Sequence, residues 1–140
     1  MEVLVEHLGA LQFDIMAREH RIECDQPVEN GGFDEGVTPP ELLLASLGAC
    51  AGFYAAQYLR KLGLAESGTI VRVTSDKVKD PETHGARLDN FRIDVEVPCA
   101  LTTEQHAGVE DAVHHCLIHN TLLHPPKITL DVTSAALQPV

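Results

Sequence analysis

Four cysteines, Cys24, Cys50, Cys99 and Cys116, together with two histidines close to the last of them, are the side chains of this 140-residue sequence best suited to chemistry. The cysteine spacings are wide and irregular and contain no C-x-x-C, which excludes a zinc ribbon and a thioredoxin-like motif. In a reducing compartment such cysteines are thiols until chemistry oxidises them. A thiolate is a nucleophile that can be oxidised and joined to a second thiol as a disulfide. That route needs two sulfurs whose Cα atoms lie within about 7 Å of one another. His115 and His119 each sit within one helical turn of Cys116 and can be cationic near neutral pH, so either is a candidate thiol-activating group. The same i, i+4 pair suits zinc, but no second ligand cluster with recognisable spacing accompanies it, and no metal is expected. His114 and His124 suit a solvated face, and His7, His20, His84 and His106 suit the surface. Cys24 and Cys99 suit ordinary strand positions.

The elements that must position these groups follow from periodicity and punctuation. Val3 and Val5 alternate with Glu2 and Glu6, and Leu11, Phe13 and Ile15 alternate with Gln12 and Asp14, with a turn at Gly9: a hairpin. A third extended run, His20 to Asp25, leads into Val28 to Val37, whose glycines and acids predict an exposed, flexible loop. Thr38-Pro39-Pro40-Glu41 combines a Thr N-cap, first-turn prolines and a glutamate at the third helical position, which form a capping box. A helix is therefore expected from Pro39 to Leu62, stopped by Gly63. It is apolar nearly all round and carries Cys50, so it needs cover on every face. Gly48 and Gly52 leave room on one of those faces for a close neighbour. Val71 to Val78 and Leu88 to Val97 read as strands joined by turn material at 80–85. A second helix starts at Thr102-Thr103 and carries Val109, Ala112, Val113 and Cys116, with Asn120-Thr121 continuing or restarting it. Ile128, Leu130 and Val132 form a last strand. The order βββ-α-ββ-α-β, with strands in blocks, predicts a single α+β domain over residues 1–140 with antiparallel sheets.

The string from Thr38 to Cys50, TPPELLLASLGAC, resembles the signature of the OsmC/Ohr family, and His115-Cys116-Leu117-Ile118-His119-Asn120-Thr121-Leu122 is similar to the family's second cysteine segment. The resemblance implies an OsmC-like fold in which antiparallel sheets wrap two central helices of an intertwined homodimer. It further implies a thiol-dependent peroxidase that reduces organic hydroperoxides in oxidative stress defence, with Cys50 peroxidatic and Cys116 resolving, and a dithiol reductant. No cofactor is implied. Three positions depart from the pattern. Leu117 stands where proline usually follows the second cysteine. Pro40 occupies the position of the activating glutamate of the family's peroxidases, and Glu41, one residue on, is rotated about 100° away on a helix. No arginine stands around Leu8–Leu11, though Arg18 and Arg21 follow nearby. Glu41 remains a candidate thiol-activating residue, but the capping box explains it equally. The alternative is a non-peroxidase member that binds a small apolar or electrophilic ligand at the dimer interface.

Composition narrows the partners. Ten Lys+Arg against 21 Asp+Glu give a formal charge of −11, which repels nucleic-acid backbones and anionic lipid surfaces. The N-terminus lacks the pattern of a signal peptide, and no apolar run is expected to span a bilayer, so the expected location is the cytoplasm.

Overall fold

The computed structural model describes residues 1–79 and 85–134. Three strands, β1 (Leu4–Gly9), β2 (Gln12–Ala17) and β3 (His20–Cys24), form an antiparallel meander. The β1–β2 register pairs Val5 with Ile15 and His7 with Phe13, and shifts between His7 and Gly9. The turn there is tight enough to place both Gly9 (φ 133°) and Ala10 (φ 47°) at positive φ. One turn of 3-10 helix, Val28–Asn30, follows β3, and then α1 runs Pro39–Lys61. Next come β4 (Ile70–Lys79) and β5 (Ala86–Glu96), which pair antiparallel, and two shorter helices, α2 (Thr103–His114) and α3 (Leu117–Leu123).

The caps behave as the sequence requires. The Thr38 side chain accepts from the Glu41 amide at 3.4 Å, while Glu41 Oε2 accepts from the Thr38 amide at 2.7 Å. Thr102 and Gln105 repeat the same reciprocal box at the start of α2. At the far end, Leu62 caps α1 and Gly63 takes φ 69°, the left-handed conformation that ends a helix.

The core forms along one stripe of α1. Leu47, Ala51, Ala55 and Leu59, four residues apart in succession, are all buried. Ala55 and Leu59 pack with Val109 of α2, and Tyr58, Val95, Leu101 and Val113 close around them. On a second face α1 lies against β4. A Cβ on Gly48 would stand 3.1 Å from Val73 Cγ2, and one on Gly52 would stand 3.3 Å from Val71 Cγ2. The two glycines thus admit valine side chains of the sheet.

Four expectations need correction. The last strand is not formed: residues 125–134 have no ladder partner, and Ile128, Leu130 and Val132 are over 80% exposed, because alternation without an adjacent sheet edge cannot make a strand. The helix expected to carry Cys116 breaks at that residue into α2 and α3. Helix α1 is long and apolar enough to span a bilayer, contrary to the expectation that no run would be; its packing on β4 and α2 explains part of that apolarity. Finally, the Val28–Val37 loop is exposed but tied down. The buried Asp25 carboxylate accepts from the amides of Gln26 (2.7 Å), Phe33 (3.0 Å) and Glu35 (3.2 Å), and the Asp25 amide reaches Val37 O. The turn expected at 80–85 falls, apart from Gly85, outside the described residues, as does His84.

Candidate functional site

Cys50 lies half-buried in the middle of α1, and Cys116 is fully buried at the junction of α2 and α3. Cys116 has left the helical conformation (φ −59°, ψ 122°) and serves as the N-cap of α3, its Sγ accepting from the His119 amide at 3.3 Å. Its own amide still bonds Val113 O at 3.0 Å and its carbonyl accepts from Asn120 at 3.0 Å, so the backbone holds the sulfur from both sides. Helix α3 packs on α1, and this sets the Cys116 thiol beside Cys50, near enough for Cys50 to help raise its pKa. All four cysteines are free thiols.

The electrostatics of Cys116 follow from this setting. Burial pushes the Cys116 thiol above its ordinary range, and its hydrogen bond to Cys50 pushes it further, outweighing the stabilising amides of His119 and Ile118. Cys116 therefore keeps its proton and can donate it toward the Cys50 sulfur.

The expected activating groups fall elsewhere. Glu41 Oε2 accepts both from the Thr38 amide and from Thr38 Oγ1 at 2.7 Å, which holds its carboxyl below the usual range and commits it to the cap. Because the helix breaks between them, His115 and His119 do not form an i, i+4 face. His115 is exposed and its Nδ1 donates to Asp111 O at 2.9 Å. His119 touches Cys116 through its backbone; its ring lies 5.4 Å from that of His114, and its Nδ1 is buried with no hydrogen-bond partner. Arg21, one of the two nearby arginines, pairs with Asp14 at 3.2 Å across the first sheet, and Arg18 sits exposed in the β2–β3 turn at φ 59°. Among the described residues no three His, Cys, Asp or Glu side chains converge to hold a metal ion.

Of the other thiols, Cys24 is buried at the end of β3, where burial and the neighbouring Asp25 charge raise its pKa. Cys99 lies in the bend between β5 and α2 rather than in a strand, its thiol 3.7 Å from Ala65 O. Sequence reasoning missed Asp25. Burial opposes ionisation of its carboxyl, but the three amide donors outweigh that cost and hold it below the usual range. The only signal for it was an acid before Pro27 and two loop glycines. Gly32 and Gly36 meet the Asp25 carboxylate and the Glu23 carbonyl so closely that no Cβ fits.

The family model described as OsmC-like protein matches residues 32–131. Solved structures similar to this chain include a Psychrobacter arcticus protein assigned to the osmotic-stress and detoxification response (22% identity, 85% of each chain covered, TM-score 0.75). Others are an OsmC-like protein of Mycoplasma pneumoniae (17% identity, 89% of this chain and 87% of that one, TM-score 0.74) and an organic hydroperoxide resistance protein of Bacillus subtilis (17%, 86% and 90%, TM-score 0.62). At such identities the likeness is one of fold. The sequence has no significant match among curated proteins.

Proposed function

Because the chain belongs to the OsmC-like protein family, we propose that it reduces organic hydroperoxides through a Cys50/Cys116 dithiol–disulfide cycle, in defence against oxidative stress. The observation that carries this reading is the proximity of a half-buried thiol on α1 to a fully buried one at the cap of α3. Organic hydroperoxide resistance proteins of similar fold lend it support.

In the first step the Cys50 thiolate attacks the outer peroxide oxygen. The O–O bond breaks, the alkoxide leaves and takes a proton from solvent, and Cys50 becomes a sulfenic acid, oxidised by two electrons. The Cys116 sulfur then attacks Cys50. The S–O bond breaks, the S–S bond forms, and the Cys116 proton leaves with the hydroxide as water. A dithiol reductant returns both thiols and is itself oxidised to a disulfide. The raised pKa of Cys116 makes the release of its proton, which the departing hydroxide takes up, part of the second step.

The site works in a homodimer located in the cytoplasm. Phe53 of α1 is 59% exposed and Leu43 is 37% exposed in one chain, as are the alternating apolar residues of the C-terminal segment, and a second copy would cover them. A monomer by light scattering at micromolar concentration would refute that assembly.

One observation favours a second reading. Glu41 is committed to the helix cap rather than to the thiol, as suits a member that binds a small apolar or electrophilic molecule at the dimer interface without reducing it. Variant assays separate the two. The peroxidase reading expects Cys50→Ser to abolish peroxide consumption and Cys116→Ser to permit one oxidation that leaves a trapped Cys50 sulfenic acid. Unchanged consumption in Cys50→Ser would refute it.

A further inference from the structure

The last carbonyls of a helix have no partner within it, and at the end of α2 two of them are held by side chains. Ala112 O and Val113 O accept from the backbone amides of His115 (3.1 Å) and Cys116 (3.0 Å). Asp111 O accepts from the His115 ring at 2.9 Å, and His114 O accepts from the side-chain amide of Asn120 at 3.1 Å.

The His114 bond has a particular place in the chain. In an unbroken helix this carbonyl would accept from the Ile118 amide, four residues on. The break at Cys116 (φ −59°, ψ 122°) removes that donor, and Asn120 Nδ2 supplies another. Asn120 also donates its backbone amide to the Cys116 carbonyl at 3.0 Å, so one residue brackets the cysteine from both sides. The same break turns the His119 amide away from His115 O, its partner in a continuous helix, and onto Cys116 Sγ at 3.3 Å. We propose that Asn120 is a positioning residue for the resolving thiol: by holding His114 O it keeps the helix broken at Cys116 and the sulfur in the N-cap position of α3.

Local propensity does not call for this residue, since Asn120 is exposed and Asn is a poorer helix former than Ala. Asn120→Ala removes the clamp and favours the continuous helix that the wild type interrupts. The inference rests on the dithiol reading, in which Cys116 attacks the Cys50 sulfenic acid, the S–S bond forms and water leaves. The Asn120 side chain bonds the backbone rather than a sulfur. Its loss therefore bears on closure of the disulfide and not on the oxidation of Cys50, which belongs to α1.

The test follows the two steps separately in wild type, Asn120→Ala and Asn120→Gln. Each reduced protein is mixed with one equivalent of cumene hydroperoxide, Cys50 sulfenic acid is trapped with dimedone at set times, and the disulfide is counted by mass spectrometry. Asn120→Ala should form the sulfenic acid at the wild-type rate and close the disulfide about three- to tenfold more slowly, the worth of one hydrogen bond. Asn120→Gln, which keeps an amide donor, should close within about twofold of wild type. Backbone carbon NMR shifts at His115 and Cys116 should become helical in Asn120→Ala alone. Diamide, which takes two hydrogens from a dithiol and leaves a disulfide, repeats the comparison without a hydroperoxide. A wild type that closes only with diamide would refute the peroxide reading, and the variant rates with diamide would still decide this one. Closure at the wild-type rate in Asn120→Ala, equal slowing of both steps, no rescue in Asn120→Gln, or a wild type that closes with neither oxidant would each overturn the proposal.

Discussion

Replacing Glu41 or Thr38 distinguishes a capping box from a thiol-activating group. Thr38 Oγ1 accepts from the Glu41 amide at 3.4 Å, beyond the usual 2.7–3.2 Å for such bonds, so this half of the box is weak. Its other half is strong: the Thr38 amide and hydroxyl both donate to Glu41 Oε2 at 2.7 Å. Thr38→Ala keeps the amide bond and loses both hydroxyl bonds, which places its cost at the lower end of the cap range, about 0.5–1 kcal/mol. For a chain of this size that is a fall in Tm of about 2–4 °C at fixed protein concentration. Glu41→Gln retains an acceptor for the Thr38 amide and should cost less. Its effect has a definite pH dependence. The Thr38 amide and hydroxyl lower the Glu41 pKa in the folded state below the ordinary 4.5. The stability the carboxylate contributes is therefore present above that ordinary value and lost as pH falls through the folded pKa. Wild type and Glu41→Gln should differ at pH 7 and converge in acid. Thermal unfolding and peroxide consumption, measured side by side, check this. A large loss of turnover in Glu41→Gln with its Tm unchanged would refute the capping assignment and give Glu41 a role at the thiol.

Two further outcomes follow from packing and charge. Gly48→Val would force two extra methyl groups onto Val73, where even a Cβ stands at 3.1 Å; urea unfolding should show a loss of about 1–3 kcal/mol, and peroxide consumption should slow as α1 shifts and carries Cys50 with it. The Cys116 thiol should ionise above its ordinary value of 9.0, read as ultraviolet thiolate absorbance in a difference titration against Cys116→Ser; in Cys50→Ser its midpoint should move down, because a serine hydroxyl donates to a Cys116 thiolate, while burial still holds it high.

Much of the fold was legible because its signals are local. The Thr38/Glu41 box, the prolines that follow and Gly63 bounded α1 to within one residue, and the strand alternations located β1 to β5. The errors arose where local signals met long-range context. Val109, Ala112, Val113 and Cys116 continue a helical spacing, yet the chain leaves the helix at Cys116 so that its sulfur can cap α3. A hint existed in the family proline that usually follows this cysteine, because proline favours the first position of a helix, the place Leu117 holds. Ile128, Leu130 and Val132 alternate as a strand should, but periodicity does not supply a neighbouring edge. The two thiols were legible as a pair only through resemblance: no spacing rule relates residue 50 on one helix to residue 116 at the cap of another. The buried Asp25 showed in the sequence only as an acid before Pro27 with two loop glycines, and the orphaned His119 Nδ1 depends wholly on tertiary packing.

The central claim, that Cys50 and Cys116 form one redox couple, is tested most directly by a stoichiometric pulse of an organic hydroperoxide on the reduced protein. Thiols are titrated before and after, and peptide mapping by mass spectrometry locates any new bond. The account predicts the loss of two thiols per chain and a Cys50–Cys116 disulfide, with Cys24 and Cys99 still free. All four thiols remaining titratable, or a disulfide that joins a different pair, would contradict it.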